Sequence, residues 1–267
     1  QSPAFRGAVY NQYMYVGGGI YQCYELNYQL GQFRPINRVV TEDGGTRVFR
    51  AAPYIAMNSK EPFDITVLFN EDTDEFVWHN AGEEYCTPLI AANTFDHQLS
   101  WSLVYLEYTS FGGGQYVAVL RESTTGDLYY MRFTPYDLLE FSRVPPESKL
   151  YQPSLMALDP NTGRFYFSVG KALFEYSTTG ERRVTDFEDD ITMLKFKQYL
   201  LLIEFLTGAT VNKDRYQRYE EMLLVATHNS TQPEDSGKLI LYDPIDNRPF
   251  QQFGGFAKII DATYKER

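Results

Sequence analysis

Short aromatic and β-branched runs, little helical periodicity and a strand-turn-strand unit returning about every fifty residues predict an all-β fold, a β-propeller with at least five blade-like repeats. Aromatic residues make up 16% of the 267 residues, with 22 Tyr and 19 Phe. They cluster with Val, Ile and Thr between Gly, Asn, Asp and Pro, as strands bounded by turns do. Apolar residues keep a helical spacing for no more than two turns, the nearest exception being Tyr216 to Leu224. Helix should therefore be rare.

The repeats emerge when the chain is laid against itself. "YFSVGKALFEY" (166–176) aligns without gaps on "YMYVGGGIYQC" (13–23), matching Val169 to Val16, Gly170 to Gly17, Leu173 to Ile20 and Phe174 to Tyr21. Paired strands of the same kind occur over 116–133 and 222–244, and less cleanly over 65–80. The apolar residues opening each second strand are Ile20, Phe76, Leu128, Leu173 and Leu239. A unit of about four strands cannot bury both faces of its small sheet alone, whereas units stacked radially can. The turns Asp159–Gly163, Ser123–Asp127 and Asp243–Asn247 carry side chains that bond the local backbone, with Gly or Asn where φ turns positive. A β-sandwich is the alternative; it needs similar strands but not the long-period self-similarity.

A single domain over 1–267 is expected, with the question of further blades before Gln1 left open. The last segment, "FAKIIDATYK" (256–265), reads as a strand without a downstream partner. Pairing with the first blade would close the ring and remove two exposed edges.

Charge narrows the partners. With 24 Lys and Arg against 35 Asp and Glu, the net charge of −11 repels a polyanion, and no nucleic-acid partner is expected. The clearest basic cluster, Lys213, Arg215 and Arg218, is interleaved with Asp214, followed by Glu220 and Glu221, and reads as a solvated loop. The longest apolar run, 199–206, is broken by Glu204 and falls far short of the ~20 residues of a spanning helix. The start, Gln1-Ser2-Pro3, lacks the features of a secretory leader, so the protein is either cytosolic or separated from its leader.

Chemistry-bearing motifs are sparse. Cys23 and Cys86 have no second ligand at metal spacing and read as inert thiols, with a bridge or a reactive thiol as alternatives. His79, His97 and His228 stand in no H-x-x-x-H context, so no metal site and no cofactor are expected. "GGGQ" (112–115) lacks the helix a phosphate cradle requires and reads as a turn. Asn70, Asp72 and Asp74 alternate like calcium ligands but miss the Gly and Glu of such a loop, which leaves a hairpin turn. Adjacent carboxylates such as Asp189 and Asp190 point to opposite faces of a strand and form no acid–base pair. Carboxylates converging from different blades would escape a reading by spacing.

Most Tyr and Phe should fill the wedges between blades. The aromatics set apart as candidate ligand platforms are Trp78, Trp101, Phe111, Tyr216 and Tyr219. The segment 207–221 lengthens the fifth repeat and places Arg215 beside the two tyrosines, a pattern suited to stacking plus fixed hydrogen bonds; the alternative is that Tyr216 and Tyr219 pack down on the blade and anchor the insertion.

The run "LMALDPNTGRFYFSVGKALFEYSTTGE" (155–181), with "DDITMLKFKQYLLL" (189–202) and "GKLILYDP" (237–244), resembles the C-terminal propeller half of the PKD-like lipoproteins of Bacteroides and relatives. The likeness covers roughly residues 150–265; earlier segments are similar only in style. It implies an exported, lipid-anchored protein at the outer membrane or cell surface, whose immunoglobulin-like region and anchoring Cys lie outside this chain. The family's genomic setting resembles that of outer-membrane nutrient uptake, and its motifs include no catalytic residue to carry over. The expected function is a non-enzymatic binding module at the cell surface for a glycan or protein partner. The alternatives are a carbohydrate-active enzyme with carboxylates from different blades, and a structural subunit of an outer-membrane uptake complex.

Overall fold

The computed structural model describes residues 6–10, 13–17, 23–27, 32–36, 38–40, 46–48, 55–57, 65–70, 74–80, 86–89, 92–94, 98–152, 155–196, 222–232 and 234–260. Among them there is no α-helix, and the strands form five sheets. The first is the meander β1 (Arg6–Tyr10), β2 (Tyr13–Gly17), β3 (Cys23–Asn27) and β4 (Gln32–Ile36). The second is built on the meander β7 (Ile55–Met57), β8 (Ile65–Asn70), β9 (Glu75–Asn80) and β10 (Cys86–Pro88). A preceding hairpin, β5 (Arg38–Val40) and β6 (Thr46–Val48), extends it, because β5 pairs in parallel with β10 at Val39 and Cys86.

Three further four-stranded meanders follow. They are β11 (Trp101–Thr109) to β14 (Leu138–Arg143), with β12 (Gln115–Glu122) and β13 (Leu128–Phe133) between. Next come β15 (Leu155–Leu158), β16 (Phe165–Val169), β17 (Ala172–Ser177) and β18 (Gly180–Asp186). Last are β19 (Asp190–Phe196), β20 (Leu223–His228), β21 (Gly237–Asp243) and β22 (Arg248–Phe256). Successive four-stranded antiparallel meanders are propeller blades, and the fold is a β-propeller.

Phe76, Leu128, Leu173 and Leu239 all stand at or near the start of a third strand, β9, β13, β17 and β21. The repeat seen in the sequence is thus the central hairpin of each blade. Ile20 lies outside the described residues. The gapless alignment of 13–23 with 166–176 holds only up to the turn. Ser168 pairs with Leu173, but its counterpart Tyr15 pairs with Glu25, five residues beyond Ile20. The first repeat therefore returns through a longer connection.

The chain divides into two compact units, Gln1–Tyr108 with Gly114–Val144, and Thr109–Gly113 with Pro145–Arg267. In the first unit the second and third sheets share a core of Val67, Phe69, Phe76, Trp101, Leu103, Tyr116, Met131 and Phe133. Asp74, at φ 54°, accepts the Trp101 backbone N–H, so the β8–β9 turn uses this aspartate as a structural tie to β11. Asn93 imitates a strand neighbour by accepting from Phe76 N and donating to Phe76 O.

In the second unit β15 runs beside β19, and Tyr166, Leu173, Phe187, Leu223, Val225, Ile240 and Tyr242 fill the space between the fourth and fifth sheets. The opposite face of the fifth sheet buries Met193, Met222, Leu224, Leu239 and Leu241, with Ile259 packed against them.

The strand expected over 256–265 is not formed in its described part. Phe256 ends β22, and residues 257–260 carry no strand. The chain turns back close over Gly237, where a Cβ would meet the Ala257 carbonyl at 2.2 Å, and Thr192 Oγ1 donates to the Ile259 carbonyl at 2.5 Å. The segment after Phe256 is apolar enough to read as a strand, but Ile259 packs on the covered face of the fifth sheet.

Candidate functional site

One turn type recurs at three strand ends among the described residues. An acidic side chain accepts the backbone N–H groups two and three residues on, and a Gly or Asn at positive φ completes the reversal. Asp159 accepts from Asn161 N (2.8 Å) and Thr162 N (3.1 Å), with Gly163 at φ 68°. Asp243 accepts from Ile245 N and Asp246 N, both at 3.0 Å, with Asn247 at φ 53°. Glu122 accepts from Thr124 N (2.8 Å) and Thr125 N (2.6 Å), with Gly126 at φ 76°. Hydrogen bonds from Thr125 and then Thr124 hold the Glu122 carboxyl down at about 2.

The Asp159 turn supports a second loop. Thr109 Oγ1 lies 3.0 Å from both the Asp159 and the Pro160 carbonyls, and Ser110 donates to Pro160 O from its N–H (2.7 Å) and its hydroxyl (2.8 Å). Phe111 follows at once and heads a short 3-10 turn, Phe111–Gly113, closed by Gly112, Gly113 and Gly114 at positive φ. Its ring packs on the bare backbone of Gly163 while the side chain remains 49% exposed. A fixed aromatic therefore looks outward from a rigid pair of loops.

Between the fourth and fifth sheets the unit opens a cleft of about 170 Å³, lined by Thr185, Phe187, Thr227, Lys238, Tyr242 and Gln252 among others. Strand alternation explains the lining: Lys238, Ile240 and Tyr242 are every second residue of β21 and share the face turned to the fourth sheet. Lys238 Nζ donates to Glu188 Oε2 at 2.5 Å and lies 3.4 Å from Asp189 Oδ2. This pairing raises the Lys238 pKa and lowers that of Glu188. Burial pushes the Tyr242 phenol up; its hydroxyl bonds Asn247 Oδ1, and its ring meets Phe187 edge-on at 5.2 Å. Asp186, at the rim, accepts from Arg183 Nε and Nη2 at 2.6–3.0 Å.

The candidate aromatics separate by burial. Trp101 is 3% exposed and lies edge-on to Tyr129 at 5.0 Å and Phe141 at 6.0 Å, so it fills the core between sheets and offers no face to a ligand. Trp78 is half-buried against the same core. Phe111 alone of the three presents a substantially exposed ring. Arg215, Tyr216 and Tyr219 lie outside the described residues, as does the whole segment 207–221. Of the histidines, His228 ends β20, and the side chains of His79 and His97 lie outside the described residues.

Among the described residues no three His, Cys, Asp or Glu side chains gather as a metal ion would require. No described helix is long and apolar enough to cross a membrane. The cleft residues escaped the sequence reading because they come from β18, β20, β21 and β22. One signal was present, a lysine sharing a strand face with Ile240 and Tyr242.

No family model and no curated protein matches the chain. Solved structures do. Oligogalacturonate lyase in complex with manganese matches with a TM-score of 0.52 at 12% identity, over 91% of this chain and 62% of that one. The computationally designed Ika8 protein matches with a TM-score of 0.51 at 11% identity, over 98% and 66%. Sqt1 of Saccharomyces cerevisiae, itself a propeller, matches at 0.50 and 14%, over 95% and 62%. The similarity is one of fold. The chain spans less than two thirds of the length of each of these three structures.

Proposed function

We propose that this propeller is a non-enzymatic binding module for a glycan or protein partner, with a glycan as the ligand class its site chemistry fits best. The observation that carries the reading is Phe111. A half-exposed ring, backed by the Gly163 backbone and held by five hydrogen-bonded atoms of neighbouring loops, is pre-ordered to stack on a flat apolar face. Sugar rings present such faces, with hydroxyls at the edges for polar groups such as those of Asn161 and Arg164 in the adjoining turn.

Hydrolysis would ask for something else. A glycosidase pairs an ionised carboxylate with a second one whose pKa is raised to hold a proton. At the cleft, Lys238 pulls Glu188 the other way, and Asp186 is already engaged by Arg183. The exported, lipid-anchored setting, and any association with an outer-membrane uptake complex, rest on the resemblance of 155–181, 189–202 and 237–244 alone.

A glycan array, followed by incubation of each hit with the protein and analysis of products, tests the reading. Retention of at least one glycan family, unaltered after incubation and lost in Phe111→Ala, is expected. Chain-shortened products would overturn the non-enzymatic reading, and an array without hits would overturn the glycan as its ligand.

A further inference from the structure

We infer that the cleft between β18 and β20–β22 is a subsite for a single neutral sugar residue, an inference that rests on the glycan-binding reading above. Size comes first. At about 170 Å³ the cavity is smaller than the roughly 300–1,000 Å³ of pockets that enclose drug-sized ligands, so it takes one compact group and no more.

Charge decides the next step. Lys238, the cation in the cleft, is held by Glu188 at 2.5 Å and Asp189 at 3.4 Å, and Asp186 at the rim is held by Arg183. An anionic ligand would meet Lys238 already neutralised by two carboxylates, with Asp186 a third nearby. A cationic one would compete with Lys238 and Arg183 for those carboxylates. Either competes with an ion pair already formed, at a modest cost because Glu188 and Arg183 are largely exposed, whereas a neutral ligand leaves all of them in place.

What remains for recognition is uncharged and polar. Thr227 brings a hydroxyl and Gln252 an amide with both donor and acceptor, Thr185 and the Tyr242 oxygen, whose proton goes to Asn247, add further polar atoms, and Ile240 and Pro249 supply an apolar patch. Thr227 is only 1% exposed yet lines the cavity, so a ligand that reaches the floor of the cleft meets its side chain. A pyranose combines vicinal hydroxyls with apolar C–H faces and meets each of these requirements. A plain apolar group would strand the hydroxyls, and a peptide would bring a backbone too bulky for the space.

The test titrates the intact chain with glucose, galactose and mannose, and in parallel with galacturonate and glucosamine, read by saturation-transfer NMR. At least one neutral hexose is expected to bind with a Kd of order millimolar, with the two charged sugars about tenfold weaker or silent. Gln252→Leu, on the exposed side of the cleft, and Thr227→Val should each weaken the hexose at least about fivefold, whereas Tyr136→Ala, at an exposed position outside the cleft lining, should leave it unchanged. Should Thr227→Val fail to fold, Gln252→Leu still decides. No hexose binding up to about 100 mM, preference for a charged sugar, or binding indifferent to Gln252→Leu would each overturn the subsite. A glycan that needs Phe111 but ignores Gln252 and Thr227 removes the subsite and leaves the binding module. Hexose binding at the cleft without any array hit does the reverse.

Discussion

The Phe111 ring fills the space that a side chain on Gly163 would need. A Cβ there would stand 3.0 Å from Phe111 Cβ and 3.1 Å from two of its ring carbons, and Gly163 sits at φ 68°. The glycine thus serves two purposes, completing the turn that Asp159 opens and providing the flat seat on which the aromatic rests.

Gly163→Ala should accordingly harm both. A non-glycine residue in the left-handed region costs about 1–2 kcal/mol, and the clash adds to it. Urea denaturation should show a loss of at least that size with an unchanged m-value. Ligand binding should weaken beyond what the residual folded fraction explains, because the ring can no longer lie flat.

Trp101 and Phe111 should part company under truncation. Trp101→Ala removes a buried ring from the core between sheets and is expected to cost about 3–5 kcal/mol of folding. Phe111→Ala should lower the melting temperature little and abolish retention of the glycan. Equal destabilisation by the two would show that Phe111 is an anchor, not a platform.

The Glu122 turn predicts an acid signature. Its folded pKa, about 2, lies below the ordinary carboxylate value, so its stabilisation is complete above the unfolded pKa near 4.5 and fades as pH falls towards 2. Glu122→Gln should therefore be less stable than the parent at pH 7, and the gap should narrow as pH falls from about 4.5 to 2. A constant difference across that range would mean that the carboxylate's charge contributes nothing to the turn.

The blades were legible because their turns act locally. Leu128, Phe165 and Arg248 follow turns whose acidic residue and positive-φ Gly or Asn act within five positions of one another. Other features depend on distant segments. The parallel pairing of β5 with β10 joins Val39 to Cys86, and no spacing rule announces it. Trp101 is buried by rings from β13 and β14, so its neighbours in sequence say nothing of its exposure. The cleft unites Thr185 with Gln252 across the space between two sheets. Phe111 was visible as a loop aromatic, but the support beneath it comes from Gly163, fifty-two residues on.

Calorimetric titration of an array-selected glycan into the parent chain and into Phe111→Ala, with the sugar recovered afterwards, tests the binding-module reading most directly. The parent should bind and return the glycan intact, and the variant, equally folded, should lose about tenfold or more in affinity, roughly 1.4 kcal/mol. Equal affinity for the two chains, or recovery of cleaved glycan, would contradict it.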